Sequence, residues 1–289
     1  MLNPAVAIVG AGRMGQGLAL GLLPAGHRVA LLSRAPHPVA RPLRQAVEPW
    51  GTVIPAADLV ILAVPDDVIT RVAGRLATGH GLSPRHVVLH LSGRLDATAL
   101  EPLRATGAAL GSFHPLQTVA DPVLAPSRLR GAHAALEGDP SAVTAGRALA
   151  TSLGLHPVVI GGTGKALYHA GAVMVANYTV TLMGVAERLA RQAGVPGSLA
   201  ERMYLPLLRG ALENLEDLGP VRSLTGPVRR GDDGTVRAHL AALPAADAEL
   251  YAVLGRAALE LAREAGLGEA RVRAVGRALG GDGTAEPGG

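Results

Sequence analysis

A single lysine and a neighbouring histidine are the side chains of this sequence best placed to move a proton. Lys165 is the only lysine among 27 Lys and Arg residues, and burial can tune a lysine to give and take a proton, whereas arginine stays charged. On a helix His169 would follow one turn later on the same face, and Asn177 would lie within about 120° of Lys165. Lys165 or His169 could then supply a proton while Asn177 holds a carbonyl group.

A third candidate is His114, which stands in an unusual segment. The run from Gly111 to Thr118 holds the only phenylalanine of the chain beside a histidine and a proline. We predict that this run is a loop at a strand end where substrate and cofactor meet, and its histidine titrates near neutral pH. The alternative is a histidine with a structural hydrogen bond and no part in chemistry.

A glycine-rich turn near the N-terminus predicts a dinucleotide site. It lies between a strand-like apolar run, 6–9, and a helix-like run, 17–23. In this pattern the first glycine makes the tight turn, the second lets backbone approach a pyrophosphate, and the third lets helix and strand pack closely. The N–H groups at the start of the helix also favour the negative diphosphate. The expected contacts of the turn are Gly10, Gly12, Arg13, Met14 and Gly15.

The end of the second predicted strand indicates which dinucleotide. The strand 27–32 is followed by Ser33 and Arg34, where an NAD site usually has an acidic residue on the ribose hydroxyls. Ser33 can donate to a 2′-phosphate, and Arg34 can pair with it, with help from Arg13. We therefore expect NADP(H). The alternative is that Arg34 is a solvated loop arginine.

The elements that must position these residues follow from the alternation of strand and helix patterns up to about residue 160. This pattern predicts an α/β protein that begins with a doubly wound, parallel Rossmann domain. Two further predicted strands, 58–65 and 86–91, end in Val64-Pro65 and Ser92-Gly93. Ligands bind beyond the carboxyl ends of parallel strands, so we expect these four residues to line the cofactor cleft.

The pattern changes after the glycine-rich turn 161–164, and we place the domain boundary there. Residues 1–162 would form the NADP-binding domain and 163–280 an all-helical domain for substrate binding and dimerisation, with 281–289 as a disordered tail. Lys165 to Gln192 is predicted to be one long helix. Its apolar surface and that of the following helices predict a homodimer.

A further segment, Ser223 to Asp232, is predicted to join two helices of the second domain. Its candidate substrate-binding residues are Thr225, Arg229 and Arg230, because adjacent arginines can bind a carboxylate or phosphate. The alternative is that the arginines form surface ion pairs with Asp232 and Asp233.

Composition removes several functional classes. The net charge of +4 comes from scattered arginines, and aromatic residues make up only 2%, so little is available to stack on nucleic-acid bases. No apolar run reaches the length of a membrane span and no secretory signal is evident. The absence of cysteine excludes disulfides and fits a cytoplasmic enzyme. We expect a small-molecule substrate, no metal ion, and no nucleic-acid or membrane partner.

Five segments together resemble a known group of proteins: GAGRMG, LAVPDD, GSFHPLQT, KALYHA and LTGPVRRGD. They are similar to Rossmann-like oxidoreductases with a C-terminal DUF2520-type domain, within the 6-phosphogluconate dehydrogenase-like enzymes. That group includes ketopantoate reductase, 3-hydroxyisobutyrate dehydrogenase, prephenate dehydrogenase and pyrroline-5-carboxylate reductase. The resemblance covers nearly all of the chain except the tail.

The resemblance implies both a fold and a catalytic residue. In the 3-hydroxy-acid members a lysine at the start of the interdomain helix acts as acid and base, and Lys165 matches it. Those members have an asparagine one turn later, where this chain has His169, and Asn177 lies two turns further along. The departure leaves the substrate class open.

Three hypotheses for function remain at this point. The first is hydride transfer between NADPH and a small 2-oxo or hydroxy acid, with 2-dehydropantoate as the leading substrate and Lys165 as proton donor. The second is reduction of a cyclic imine of the pyrroline type, which needs less proton donation. The third is a protein that binds NADP and reports its state without catalysis.

Overall fold

The computed structural model describes residues 4–47, 50–79 and 81–280, and the predicted tail 281–289 lies outside them. The chain divides into two compact units, one ending at Tyr178 and the other beginning at Thr179. This division lies inside the long helix and not at the glycine turn 161–164. Lys165, at the start of that helix, hydrogen-bonds to Ser92 and Ser112 within the first unit.

One eight-stranded sheet forms the centre of the first unit, in the order β3-β2-β1-β4-β5-β6-β7-β8. All neighbours are parallel except β6 and β7. The doubly wound Rossmann prediction is confirmed. The strands are β1 Ala5–Val9, β2 Arg28–Ser33, β3 Gln45–Val47, β4 Leu59–Leu62, β5 Val87–His90, β6 Ala109–Pro115, β7 His133–Gly138 and β8 His156–Val159.

Alternate residues of the central strands enter two separate apolar cores. In β1, Val6 and Ile8 belong to one core and Ala7 and Val9 to the other, because successive side chains of a strand point to opposite faces. Helices cover both faces, which explains why all of β4 is buried. The helices of this unit are α1 Arg13–Leu22, α2 Ile69–Ala77, α3 Ala125–Leu129 and α4 Pro140–Leu153.

The predicted loop at 111–118 is corrected by the structure, because its first five residues belong to β6. They pair antiparallel with β7, which also makes the sheet mixed and not wholly parallel. A methyl group on Gly138 would stand 2.4 Å from the Cα of Gly111, so the two strands approach closely only with glycine there. Glycine, serine and proline favoured a turn by local propensity, but strand pairing decides the conformation.

The long helix α5, Lys165–Gln192, has the bounds that the sequence predicted, and it runs from the first unit into the second. Within the described part of the second unit the remaining elements are all helices. Their apolar core includes Val236, Ala262 and Val275. These helices are α6 Gly197–Ala200, α7 Leu205–Ser223, α8 Gly226–Arg230, α9 Asp233–Ala242, α10 Ala245–Glu264 and α11 Glu269–Ala278. None of the helices in the described ranges is long and apolar enough to cross a membrane.

Candidate active site

The glycine turn between β1 and α1 has two glycines that pack against backbone and one that faces open space. A methyl group on Gly10 would stand 2.2 Å from the carbonyl oxygen of Ala63, and one on Gly15 would stand 2.0 Å from that of Gly10. A methyl group on Gly12 would meet no atom within 4 Å. Gly10 and Gly15 are therefore required by packing, and Gly12 leaves the backbone open to a ligand.

A cavity of about 660 Å³, the glycine-turn cavity, lies where β1, β2 and β4 end. No acidic side chain lines it among the described residues. An open glycine backbone suits the diphosphate of a dinucleotide. A basic residue beside it suits a 2′-phosphate on the adenosine ribose. Six of the predicted cofactor residues line this cavity: Gly10, Gly12, Ser33, Arg34, Val64 and Pro65.

The other predicted cofactor residues lie elsewhere. Arg13 is exposed at the start of α1, and Met14 packs against an apolar core. Gly15 packs on the glycine turn itself, and Ser92 and Gly93 lie at the end of β5 outside the lining of the glycine-turn cavity. All eleven predicted residues, the six that line the cavity and these five, remain predictions as cofactor contacts.

Among the lining residues that sequence reasoning missed, four have polar or aromatic side chains, which are His37, Trp50, Arg71 and Arg75. The two arginines are spaced four apart in α2, directly after β4, and this spacing was the signal that could have found them. Ser33 was expected to donate to a phosphate, but its hydroxyl donates to Gln45 Oε1 at 3.1 Å.

Lys165, a predicted proton donor, is buried against Ser92 and Ser112. Its side chain is 0% exposed, and Nζ donates to the carbonyl oxygen of Ser92 at 3.1 Å and to Ser112 Oγ at 2.8 Å. Burial lowers the pKa of Lys165, and the carboxylates of Glu137, Asp96 and Asp66 oppose this shift. Lys165 therefore ties the start of α5 to Ser92, which follows β5, and to Ser112 inside β6, and its amine is buried.

A second cavity of about 560 Å³, the histidine cavity, lies beside the end of β6 and the first turns of α5. Three of the predicted catalytic residues line it, His114, His169 and Asn177, and so does Tyr168, which sequence reasoning missed. No charged side chain of Lys, Arg, Asp or Glu lines it among the described residues. Tyr168 stands between Lys165 and His169 in the KALYHA segment, so its position on the same helix turn was readable from the sequence.

The two histidines and the tyrosine are in direct contact. His114 Nδ1 lies 3.1 Å from Tyr168 Oη, and the His114 and His169 rings meet edge to face with centroids 5.6 Å apart. Gly93 makes room for them, because a methyl group there would stand 2.5 Å from His169 Nδ1. His169 Nδ1 is buried and has no hydrogen-bond partner in the part of the chain that the structure describes.

The protonation states of this group follow from its burial. Burial lowers the pKa of His114 to about 4, with smaller contributions from the nearby His169 and Lys165. Burial also raises the pKa of Tyr168 to about 12. At neutral pH the imidazole is uncharged and the phenol keeps its proton. If Tyr168 donates to Nδ1, the His114 tautomer carries its proton on Nε2, where it can be donated.

His90, the last residue of β5, also has a pKa lowered by burial. It is 0% exposed, its Nε2 lies 2.9 Å from the carbonyl oxygen of Asp96, and its Nδ1 accepts from the Ser92 N–H at 3.2 Å. Burial is the main reason that its pKa is lowered to about 4. A proton on Nδ1 would remove the acceptor that Ser92 uses.

Thr225, Arg229 and Arg230 lie in the second unit and line a concavity of about 1090 Å³ there. Arg229 Nη2 donates to the carbonyl oxygen of Ala265 at 3.2 Å. The alternative ion pairs with Asp232 and Asp233 are absent among the described residues. Asp232 accepts from Thr235, which is the main cause of its lowered pKa, and Asp233 pairs with Arg237.

Two family models match the chain. Residues 5–92 match the family described as NADP oxidoreductase, coenzyme F420-dependent, and residues 132–258 match the domain of unknown function DUF2520. The chain joins an NADP oxidoreductase domain to a DUF2520 domain. The predicted resemblance, the oxidoreductase activity and the cofactor NADP(H) are confirmed by these matches. A search of curated proteins found no match.

Solved structures confirm the fold over most of the chain. A Bacteroides fragilis protein described provisionally as an NADP oxidoreductase is 22% identical, with a TM-score of 0.72 over 89% of this chain and 98% of that one. A Plasmodium falciparum pyrroline carboxylate reductase with NADP bound is 14% identical, with a TM-score of 0.61 over 92% and 100%. A Myxococcus stipitatus imine reductase variant with NAD⁺ is 18% identical, with a TM-score of 0.52 over 91% and 94%. None of these findings supports 2-dehydropantoate as the substrate.

The glycine turn yields a prediction that separates packing from binding. Gly12→Ala is expected to melt within about 2 °C of the native protein and to bind NADPH at least about 10-fold more weakly, because its methyl group occupies the path of the pyrophosphate. Gly15→Ala is expected to lose about 2 kcal/mol or more of stability through overpacking. Thermal unfolding and a titration of Trp50 fluorescence measure the two effects. Normal NADPH affinity in Gly12→Ala would contradict this role for the turn.

The buried histidines predict a loss of stability in acid. His90 and His114 titrate near 4 when folded, against 6.5 as the ordinary value, so between these values the unfolded chain binds more protons. The free energy of unfolding therefore falls as the pH drops from about 6.5 to 4, by up to about 1.4 kcal/mol per pH unit for each histidine. Urea unfolding at several pH values measures the slope. His114→Asn should reduce that slope, and an unchanged slope would show that folding does not lower the pKa of His114.

Proposed function

We propose that this NADP-dependent oxidoreductase reduces a small cyclic imine, with His114 and Tyr168 as the proton-donating pair. The observation that carries the proposal is the histidine cavity, in which His114 contacts Tyr168, while Lys165 is buried against Ser92 and Ser112. A lysine-based reduction of a 2-oxo acid needs the ammonium group at the substrate. That requirement is poorly met by a side chain held by Ser92 and Ser112.

The chemistry of an imine matches these neutral groups. NADPH supplies the hydride when bound, so the protein has to supply position and protons. The hydride adds to the imine carbon while the imine nitrogen takes a proton from His114 Nε2 and Tyr168 passes its own to Nδ1, and the product is a neutral amine. The fold similarity to a pyrroline carboxylate reductase and an imine reductase is compatible with this class.

A carbonyl substrate would take its proton by the same route. The alkoxide formed by hydride addition would take the proton from His114 Nε2, and Tyr168 would pass its own to Nδ1. A 2-oxo acid such as 2-dehydropantoate is the second candidate substrate, because His114 could protonate its alkoxide. The third hypothesis, a protein that binds NADP and reports its state without catalysis, predicts NADPH binding without turnover.

The experiment is NADPH consumption by the purified protein against a panel of acceptors, with NADH in parallel. The panel holds 1-pyrroline, pyrroline-5-carboxylate, 2-dehydropantoate, short 2-oxo acids and oxidised coenzyme F420, which the description of the matched domain names. Turnover of an imine but not of the oxo acids supports the proposal. Turnover of 2-dehydropantoate alone would replace it with the second candidate, and tight NADPH binding with no turnover would favour the sensor.

Substitutions in the histidine cavity test the proposed donors. His114→Asn is expected to lower kcat by about 10²-fold and Tyr168→Phe by about 10-fold, with the Kd for NADPH unchanged within about 2-fold. His133→Asn, an exposed histidine at the start of β7, is the matched control and should keep native kcat. Steady-state kinetics and NADPH titrations measure both quantities.

Lys165→Met provides the opposing test. We expect it to lower the melting temperature, because the Ser92 carbonyl and the Ser112 hydroxyl lose their buried donor. If Lys165→Met remained as stable as the native protein and lost turnover, while His114→Asn kept it, Lys165 would be the proton donor after all.

A homodimer through the second unit is also part of this proposal. Helix α7 has no buried residue, and Leu207, Leu212 and Leu215 are 69%, 55% and 46% exposed. Contiguous apolar surface of this kind is typical of a protein interface. A small-molecule substrate is the remaining partner that we propose.

The dimer predicts a change in mass on substitution. Leu212→Asp/Leu215→Asp should shift the protein from dimer to monomer, because two charges cannot be buried unpaired in an apolar interface. Light scattering after size-exclusion chromatography measures the mass. Val123→Asp, at an exposed apolar position of the first unit, is the control and should stay dimeric. A native protein with the mass of one chain would remove the dimer proposal.

A further inference from the structure

The glycine-turn cavity has a second basic wall, which comes from α2. Arg71 and Arg75 line the cavity together with Arg34 and His37, which follow β2. The two α2 arginines are four residues apart, so they lie on the same face of the helix, one turn from each other. The chain therefore brings three arginines to one cavity from two separate elements.

The buried face of α2 fixes where these arginines stand. Ile69, Ala73 and Leu76 are buried in the core beneath the helix, so α2 cannot rotate without exposing them. Arg71 and Arg75 consequently project from a packed helix, whereas Arg34 stands in a stretch without regular secondary structure. A phosphate bound between them would be held on one side by a rigid element.

The charge of the cofactor's phosphate groups indicates which part of the cofactor Arg71 and Arg75 would bind. A phosphate monoester such as the 2′-phosphate of NADP carries about −1.5 to −2 charges near neutral pH and offers three acceptor oxygens. Arg34 alone supplies one positive charge, and the Ser33 hydroxyl is already donated to Gln45. None of the described residues that line the cavity is acidic.

We propose that Arg71 and Arg75 bind the adenosine 2′-phosphate together with Arg34, and that this clamp sets the preference for NADP(H) over NAD(H). The inference rests on NADP(H) as the cofactor and does not depend on the substrate. It assigns cofactor selectivity to a helix after β4, in addition to the loop after β2 that the sequence indicated. Two arginines from a rigid helix can donate from fixed directions, which suits selective recognition of a phosphate.

The protein carries its own reporter for this test. Trp50, the only tryptophan of the chain, lines the same cavity and donates through Nε1 to the carbonyl oxygen of Ser33 at 3.2 Å. A nucleotide in the cavity should therefore change its fluorescence. Binding can be measured in this way without any substrate or turnover.

The experiment compares the Kd values of NADP⁺ and NAD⁺, and of 2′-AMP and 5′-AMP, in Arg71→Gln, Arg75→Gln and the double variant. We expect the ratio of the NAD⁺ to the NADP⁺ Kd to fall about 10-fold in each single variant and about 100-fold in the double variant. The Kd for NAD⁺ should stay within about 2-fold, and 2′-AMP should lose affinity in parallel with NADP⁺. Arg147→Gln, at an exposed position of α4, is the matched control and should leave every value unchanged.

Three results would overturn the proposal. One is an equal loss of NADP⁺ and NAD⁺ affinity, which would place the arginines at the adenine or the diphosphate. The second is no loss of NADP⁺ affinity in the double variant. The third is a native protein that binds NADP⁺ and NAD⁺ equally, because no clamp for the 2′-phosphate would then exist. Failure of the imine panel changes none of these readings, since binding is measured alone.

Discussion

A buried lysine amine holds together the part of the structure on which the histidine cavity depends. Lys165 starts α5, and its Nζ donates to the Ser92 carbonyl at the end of β5 and to Ser112 in β6. A buried amine must be hydrogen-bonded, and the nearby carboxylates of Glu137 and Asp96 oppose the lowering of its pKa by burial. With the start of the helix fixed, Tyr168 follows three residues later and meets His114.

The two cavities of the first unit differ in charge in a way that matches binding and chemistry. The glycine-turn cavity is lined by three arginines and no described acidic residue, so it suits an anion. The histidine cavity has neutral polar groups at pH 7, because burial keeps His114 uncharged and Tyr168 protonated. Cationic groups attract the phosphates of a cofactor, and groups that stay neutral can donate protons without a large desolvation cost.

Local pattern predicted the parts of the protein whose conformation depends on close sequence neighbours. The glycine turn, β4 and both ends of α5 follow from residue type and spacing alone. The segment 111–118 was predicted wrongly, because its strand conformation is imposed by pairing with β7 and by the contact between Gly111 and Gly138. No local pattern carries that information.

The sequence by itself determined the Rossmann fold class, the NADP(H) cofactor and the helical character of the second half, since each rests on patterns within about 30 residues. Only the tertiary structure decided the surroundings of the individual side chains. Packing buried Lys165 against Ser92 and Ser112. It brought His114 into contact with Tyr168, 54 positions further along the sequence. It also brought Arg71 and Arg75 to the cavity that Arg34 lines. Proximity and burial set pKa values and binding partners, and both arise from packing between elements far apart in the chain.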